Sequence, residues 1–427
     1  MAVFGISVHV KIMTVLFLVV LLIMASHPGR AQVQYPLLLD KTGSSKAGAH
    51  CIIAAHRGIY GLENRFLNIK WTDEDNFTEK AAGISFRLGK TILLDNVLDH
   101  LSFLIQHEVF GHGARYREFG YKNNSYRLNL LFPYGNGKGW AIRGRPEVNR
   151  KISPHENMAS IIGGSESNTV LSNILRFKWL QRGKMNYRET ILYLFSANDL
   201  GMYILRTKYN LRGEAGNDVL SYLTAINTYQ GYPHGVGYKL TLDRLAGQAF
   251  INMLNPFNYF SVYAYFYTYL WSGEENFNIP MIHIGNMRYI PSFRLGLSPF
   301  GSEFYFENFF ALSSAVIHVY FRYGDPTFHK FWGLGLHGLN LMQDDNLTIH
   351  AQVDLWDQPS LLLGGETVKP GPSGLGGALM ATLFYKLAGA GSRFQLAAQI
   401  GYKTAGFLEG ENLRAGFIAR LGLSLIE

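Results

Sequence analysis

Three segments in the last part of the chain alternate between apolar side chains and polar or small ones. They are residues 347–355, 393–403 and 413–425. In the last of them, leucine, alanine and phenylalanine residues share one face, while Arg414 and Arg420 lie on the other. A period of two residues, sustained over about 10 residues, is typical of a tilted strand that crosses a lipid bilayer. The pattern therefore predicts membrane-type β-strands.

Less regular apolar runs predict further strands near these segments. They lie near Phe293–Ser298, Glu303–Leu312, Ala315–Tyr323, Phe331–Leu341 and Leu379–Leu387. Turn-forming residues separate them. Because an open sheet edge in lipid leaves backbone groups unpaired, the strands predict a closed antiparallel β-barrel over residues 231–427. The alternative is a soluble β-sandwich or lipocalin-like barrel whose apolar face points inward.

The first half of the chain has a different pattern, which predicts a mainly helical region over residues 32–230. Apolar residues at helical spacing run from Leu98 into His107, and further helices are expected at about 156–180 and 188–205. A few strands are expected here too, at Phe66–Trp71, Ile84–Leu94 and Tyr126–Phe132. The aromatic stretch Asn255–Gly273 fits either an interfacial helix or a strand. The predicted fold class is therefore α+β, with a helical segment followed by a membrane-type barrel.

Composition favours the membrane version of the sheet. Charged residues make up 16% of the chain and aromatic residues 14%, with 46 glycines, whereas a typical soluble domain has about 25% charged residues. The single cysteine, Cys51, excludes an intramolecular disulfide. The formal net charge of +8 is scattered rather than clustered, so no nucleic-acid partner is expected. Membrane lipid is the expected surrounding partner.

The N-terminus predicts export. Lys11 precedes an apolar run from Ile12 to Ala25, and small residues precede the expected cleavage after Ala31. This order is typical of a secretory signal peptide, here residues 1–31. A retained anchor is the alternative, although the run is shorter than the roughly 20 residues that span a bilayer. With the barrel, export predicts the outer membrane of a Gram-negative-type bacterial cell.

The candidate chemistry lies in the segment His107-Glu108-Val109-Phe110-Gly111-His112. Two imidazoles can bind zinc and leave a position open for water, and a carboxylate can take the proton of that water. Residues five apart are about 140° apart on an ideal α-helix, so the two histidines would diverge. A one-residue π-bulge, which Gly111 could ease, would bring them together. Without a bulge, Glu108 and His112 share a face instead.

This motif resembles that of the dipeptidyl peptidase III family of zinc peptidases. The resemblance covers short motifs only, and it implies that His107 and His112 bind Zn²⁺ while Glu108 is the catalytic general base. The family's third ligand is a glutamate on a later helix. That position matches Glu166, which lies 54 residues after His112.

The expected function is zinc-dependent hydrolysis of an amide bond, as in a metallopeptidase. A lipid substrate is a further possibility, since a barrel-tethered site meets lipid readily. In the competing hypothesis, the histidines merely line the lumen of a non-catalytic barrel for binding or transport. Candidates to orient the metal-binding histidines are Asp99, Asn168 and Asp199. Candidates to stabilise a developing oxyanion are Arg115, Tyr116 and His155.

Overall fold

The structure is a computed structural model that describes residues 32–66, 76–146, 151–210, 216–232, 237–313, 315–364, 373–387 and 393–427. The predicted signal peptide, residues 1–31, lies outside the described residues. So does nearly all of the strand predicted at Phe66–Trp71, of which only Phe66 is described, at the end of a helix. The described part combines helices with one large antiparallel sheet, which agrees with the α+β prediction.

The sheet has ten strands in the order β1-β16-β15-β14-β13-β12-β11-β10-β9-β8. The strands are β1 (Gln34–Leu39), β8 (Ile282–Ile284), β9 (Met287–Ser298), β10 (Gly301–Ala311), β11 (Val316–Gly324), β12 (Trp332–Gln343), β13 (Leu347–Gln358), β14 (Gly374–Lys386), β15 (Phe394–Lys403) and β16 (Gly416–Ile426). All eight strands predicted after residue 290 are present. The first and last described strands, β1 and β16, are neighbours in this sheet, where Leu37 pairs with Leu423.

The strand pairing of the described residues does not show a closed barrel. Among them, β1 and β8 are the two edge strands, and no ladder joins these edges. The barrel was predicted over residues 231–427, with the option that earlier strands join it. One early strand does join the sheet, but it is β1, which was not among the predicted strands. Short strands outside the main sheet form three small pairs, β2 (Tyr121–Lys122) with β5 (Arg145–Pro146), β3 (Ser125–Leu128) with β4 (Gly139–Ile142), and β6 (Lys184–Asn186) with β7 (Asn276–Asn278).

In β15 and β16 the polar face of the sheet is buried and the apolar face is exposed. Polar side chains of β15 and β16 are buried, namely Gln395, Gln399, Lys403, Arg420 and Ser424. Apolar side chains of the same strands are exposed, namely Phe394, Leu396, Ile400, Tyr402, Phe417, Leu421, Leu423 and Leu425. The buried charges are paired with one another: Arg420 with Glu411, Arg322 with Glu303, and Arg176 with Glu307.

Helices precede the long strands and pack against the polar face of the sheet. They are α1 (Ser45–Phe66), α2 (Phe77–Lys90), α3 (Asn96–Leu104), α4 (Gly113–Glu118), α5 (Pro154–Arg182), α6 (Tyr187–Asn210), α7 (Asp218–Tyr229), α8 (Leu242–Ala249) and α9 (Pro256–Tyr263). Three π-helical segments, Thr91–Asp95, Ile105–His112 and Ala264–Trp271, and a 3₁₀ turn at Phe250–Leu254 adjoin them. Among the described helices, none is both long and apolar enough to cross a membrane.

The long helix α5 runs through the interior of the molecule. Ser153 and Glu156 form a capping box at its start, Pro154 occupies the first turn, and Gly183 ends it in a left-handed conformation. Most of its side chains are buried, including polar ones. It packs against α1, α6, α7 and the π segment at 105–112, and it therefore supports every element of the site described below.

The structure is helical at two further places, one predicted as a strand and the other left open between a helix and a strand. The strand predicted at Ile84–Leu94 is wrong, because this stretch is helical, in α2 and the following π segment. The Asn76 side chain caps α2, and the apolar residues from Phe86 onward are exposed, so their alternation did not reflect a pleated face. The stretch Asn255–Gly273 is mainly helical, so helices continue well past the expected boundary at residue 230.

Candidate metal centre

A π-helical segment brings the two motif histidines together. The segment spans Ile105–His112 and continues α3 directly into α4. In a π-helix the hydrogen bonds join residues five apart, so His107 and His112 fall on one face. The Nε2 atoms of the two imidazoles are 3.3 Å apart. The predicted π-bulge is confirmed, and in place of one extra residue a whole segment of eight residues is π-helical.

Glycines let this segment approach α5 closely. A Cβ atom on Gly111 would lie 2.6 Å from the carbonyl oxygen of Gly163. A Cβ atom on Gly164 would lie 2.3 Å from Nε2 of His107. Both distances are shorter than any real Cβ contact. Gly111 therefore serves helix packing, and Gly164 leaves the space that the imidazole of His107 occupies.

Asp218 completes a three-residue cluster with the histidines. Its Oδ2 atom lies 3.3 Å from Nε2 of His112 and 3.7 Å from Nε2 of His107. Within the described part of the chain, these three residues converge closely enough that they could hold a metal ion. Ligands about 2.0–2.1 Å from a tetrahedral zinc ion are separated by about 3.3 Å. The three donor atoms therefore have nearly the mutual spacing that zinc requires.

The outer nitrogens of both imidazoles are held by acceptors. Nδ1 of His112 lies 2.8 Å from the carbonyl oxygen of Ser160, and Nδ1 of His107 lies 3.0 Å from the carboxylate of Asp199. A carbonyl or carboxylate oxygen can only accept, so each Nδ1 carries the hydrogen. In the neutral rings both Nε2 atoms are then lone-pair acceptors that face each other. A cation resolves this arrangement: either a metal ion between the Nε2 atoms, or a proton on each ring, so that Nε2 donates to Asp218. Outer partners of this kind are typical of metal-binding histidines.

Two of the three candidates for orienting the histidines lie at the site. Asp199 bonds His107, and the Asn168 amide lies 3.0 Å from the Asp199 carboxylate and 3.1 Å from Nδ1 of His107. The third candidate, Asp99, is 2.7 Å from Nε2 of His56 and contacts Arg188 instead. It belongs to a separate buried ion cluster.

Asp218 was not among the residues that the sequence singled out. It is the first residue of α7, where Asn217 caps the helix and the Asp218 backbone N–H donates to the Tyr203 hydroxyl. Burial alone would raise the pKa of the Asp218 carboxyl, but attraction to His112 and hydrogen bonds to both histidines lower it. An acidic residue in the first helical turn normally interacts with the helix dipole. Its position in the sequence therefore gave no specific signal for metal binding.

Glu166, the predicted third ligand, does not join the histidines. Its carboxylate accepts two hydrogen bonds from Arg115, at 3.1 and 2.5 Å, and one from the backbone N–H of Gly410 at 2.8 Å. Arg115 also bonds Glu118 at 2.7 Å. Glu166 is therefore placed as the partner of Arg115 and away from the two histidines, because a buried guanidinium needs a carboxylate partner. Because the Arg115 guanidinium bonds these carboxylates, it does not point to the histidines as the predicted oxyanion stabiliser would.

Glu108, the predicted general base, is buried beneath the hairpin formed by β3 and β4. A Cβ atom on Gly139 of β4 would lie 2.9 Å from Oε1 of Glu108, so the strand approaches the carboxylate closely. The charge of Glu108 also interacts with both His107 and His112. The position of Glu108 beside the histidines is therefore compatible with the role of a base.

Two tyrosines face the cluster as possible hydrogen-bond donors. The ring of Tyr116 stacks near that of His112, with centroids 6.4 Å apart. Burial and the negative charge of Asp218 raise the pKa of the Tyr116 phenol to about 12, so it stays protonated. Tyr203 lies against Asp218. The other oxyanion candidate, His155, lies elsewhere and accepts a hydrogen bond from the backbone of Leu362.

Comparisons with known proteins add no relative: no protein family, curated protein or solved structure matches this chain. The resemblance of the motif to dipeptidyl peptidase III stays a prediction from short motifs. The site must therefore be interpreted from its own geometry.

Proposed function

We propose that this protein is a zinc-dependent hydrolase whose metal is held by His107, His112 and Asp218. The proposal rests on three donor atoms, two imidazole Nε2 atoms and one carboxylate oxygen, that lie 3.3–3.7 Å from one another. The Nδ1 atom of each imidazole also contacts an oxygen acceptor. Three protein ligands and an open fourth position are typical of catalytic zinc sites. When bound, zinc would polarise the substrate carbonyl and lower the pKa of water.

The side chains around the cluster supply the remaining chemistry. Glu108 takes a proton from the attacking water and passes it to the leaving nitrogen or oxygen as the carbonyl bond breaks. Tyr116 or Tyr203 donates a hydrogen bond to the oxygen on which negative charge develops. Asp199 and Asn168 hold His107 in the required tautomer. Each role uses an atom that lies at or beside the cluster.

The bond that this site cleaves is a carboxylic amide or ester, because the same groups serve both. The motif favours an amide, as in a peptidase. Addition of water gives a carboxylic acid and an amine or alcohol, with no other reactant. The alternative of a passive barrel for binding or transport gives Glu108 no role.

We further propose that the molecule resides in the outer membrane, with its sheet and helices together enclosing a polar interior. The support is the sheet, which exposes leucine and aromatic side chains and buries paired charges. A membrane barrel has an apolar outer face and a polar interior. Helices with exposed apolar residues, including Leu62 and Phe266, would fill the gap between β1 and β8.

The direct test of the function is a Glu108→Gln variant, assayed for hydrolysis of amide and ester libraries and for metal content. A hydrolase of this design loses turnover by about 100-fold or more, as is typical for a general base, and keeps its zinc. A passive barrel shows no hydrolysis in the wild type and no difference in the variant. That outcome would reject the enzyme and leave the binding or transport function.

A further inference from the structure

The hairpin that covers Glu108 exposes an unusual number of apolar side chains. It consists of β3, β4 and their connection, residues 125–142, and we call it the β3–β4 hairpin. Its exposed large apolar residues are Leu130, Phe132, Tyr134, Trp140 and Ile142. Phe132 is the most exposed of them, at 71%. A cluster of exposed apolar side chains of this kind marks a surface that contacts a ligand, a membrane or another protein.

The charge of this region is entirely positive. Residues 121–146 contain five basic residues and no acidic residue, the basic ones being Lys122, Arg127, Lys138, Arg143 and Arg145. All five are exposed. Exposed aromatic and aliphatic side chains mixed with basic ones are typical of segments that lie at an anionic membrane surface. Because the exposed charges are all positive, we expect anionic lipid to contact the hairpin.

The β3–β4 hairpin is fixed to the catalytic elements. Gly139 packs on the carboxylate of Glu108, and a Cβ atom on Gly137 would lie 3.1 Å from the ring of His100 in α3. The Tyr126 hydroxyl of β3 accepts a hydrogen bond of 2.8 Å from Arg117. A molecule bound at the exposed face of the hairpin is therefore held close to the metal centre.

Half-buried aromatic rings continue from the hairpin to the metal centre. His100, which Gly137 contacts, lies 5.6 Å from the ring of Phe103 and 5.5 Å from that of Phe195. The ring of Phe103 in turn lies 6.0 Å from that of His107. These rings form a continuous row from the hairpin to His107.

We propose that the substrate is an anionic amphiphile of the membrane, whose acyl chain lies along the β3–β4 hairpin and these aromatic rings. The proposal deepens the hydrolase function given above and rests on it. The acyl carbonyl carbon reaches the metal centre beside Glu108. Water adds to that carbon, the bond to the headgroup oxygen or nitrogen breaks, and the leaving atom receives the proton from Glu108. The products are a fatty acid and a deacylated lipid.

The position of the hairpin can be measured without a known substrate. A spin label at Phe132→Cys, in a Cys51→Ser background, is reconstituted in phosphatidylcholine vesicles with and without phosphatidylglycerol. A label at Asp345→Cys, in the exposed turn between β12 and β13, is the aqueous control. We expect the label at 132 to collide more with oxygen and less with a water-soluble nickel chelate than the control. Equal collision rates at both positions would overturn the proposal.

The substrate class is tested on vesicles made from total lipid extract of a Gram-negative outer membrane. Mass spectrometry should show deacylated anionic lipids with the wild type and none with Glu108→Gln. Arg127→Gln and Lys138→Gln should each lower this turnover by about fivefold, since a basic residue near an anionic surface contributes about that factor. Intact lipids together with cleaved peptides in a parallel peptide library would overturn the lipid substrate.

The zinc content of the same samples separates the two proposals. If Phe132→Ser loses lipid turnover and keeps its zinc, the hairpin serves the substrate and both proposals stand. If zinc is bound and peptides are cleaved while lipids stay intact, the hydrolase stands and the lipid substrate is rejected. If no zinc binds to the wild type, the hydrolase falls, and the lipid substrate falls with it.

Discussion

At the scale of single residues, the proposed metal centre depends on the groups that hold the outer nitrogens of the histidines as well as on the donor atoms. Asp199 fixes the tautomer of His107 through a 3.0 Å contact and is itself bonded by Asn168. Ser160 fixes His112 through a backbone carbonyl, which no substitution at that position removes. The side chain of Asp199 is therefore the outer group that mutation can test.

We predict that Asp199→Asn weakens zinc binding about 10–100-fold, the usual cost of losing such an outer partner. An amide can present either an acceptor or a donor to Nδ1, so the tautomer of His107 is no longer fixed. Competition titration with a zinc chelator measures the change, and Asp243→Asn, at an exposed aspartate in α8, is the matched control. An unchanged affinity in Asp199→Asn would contradict the role of Asp199 in fixing the metal-binding tautomer of His107.

The sequence pointed to part of the candidate centre, and there is a physical reason why it did not point to Asp218. His107, Glu108 and His112 are neighbours along the chain, so one short motif reveals them. Asp218 comes from a helix more than a hundred residues later, and only the packing of α7 on α5 brings it to the histidines. Glu166 had a plausible spacing, but the burial of Arg115 required its charge.

At the scale of elements, the π segment at 105–112 and its glycine contacts with α5 place the histidines. The imidazole of His107 occupies the space that a side chain at position 164 would fill. The sequence predicted a local bulge from histidine spacing alone, which reflects geometry within one helix. The strand expected at Ile84–Leu94 failed because an exposed apolar helix face and a short strand can show the same alternation.

We predict that Gly164→Ala abolishes stoichiometric zinc binding, because its Cβ atom would displace the His107 ring. The crowding should also cost about 1–3 kcal/mol of stability. Gly58→Ala is the control, since it lies in α1 with no heavy atom near its added Cβ atom. Metal analysis and thermal unfolding of both variants provide the measurement. Full zinc occupancy in Gly164→Ala would contradict the close approach of α5 to the π segment.

At the scale of the whole molecule, the buried polar face and exposed apolar face of β15 and β16 support the proposed membrane location. Three of the strands of the sheet could be predicted from the alternation of apolar and polar residues, and five more from less regular apolar runs that turn-forming residues separate. The sequence alone could not tell which face points inward, since a lipocalin-like barrel has the same pattern. Burial of Arg420 and exposure of Leu421, its neighbour, answer that question for β16.

We predict that Leu421→Arg destabilises the protein in lipid by about 2–4 kcal/mol, the cost of a charge at the lipid face of a barrel strand. Leu421 is 63% exposed, so in a soluble protein the same change should stay within about 0.5 kcal/mol. Urea unfolding in vesicles measures the difference, with Asp345→Arg in a turn as the control. A neutral effect of Leu421→Arg would contradict the membrane location.

The most direct test of the central claim is the zinc stoichiometry of the purified wild type beside Asp218→Ala and Glu166→Gln. The proposed centre predicts about one zinc per chain in the wild type, loss of zinc in Asp218→Ala, and retention in folded Glu166→Gln, which conserves the volume of a side chain paired with Arg115. Circular dichroism establishes that each variant is folded. No zinc in the wild type, or its loss with Glu166→Gln and retention with Asp218→Ala, would contradict the metal centre described above.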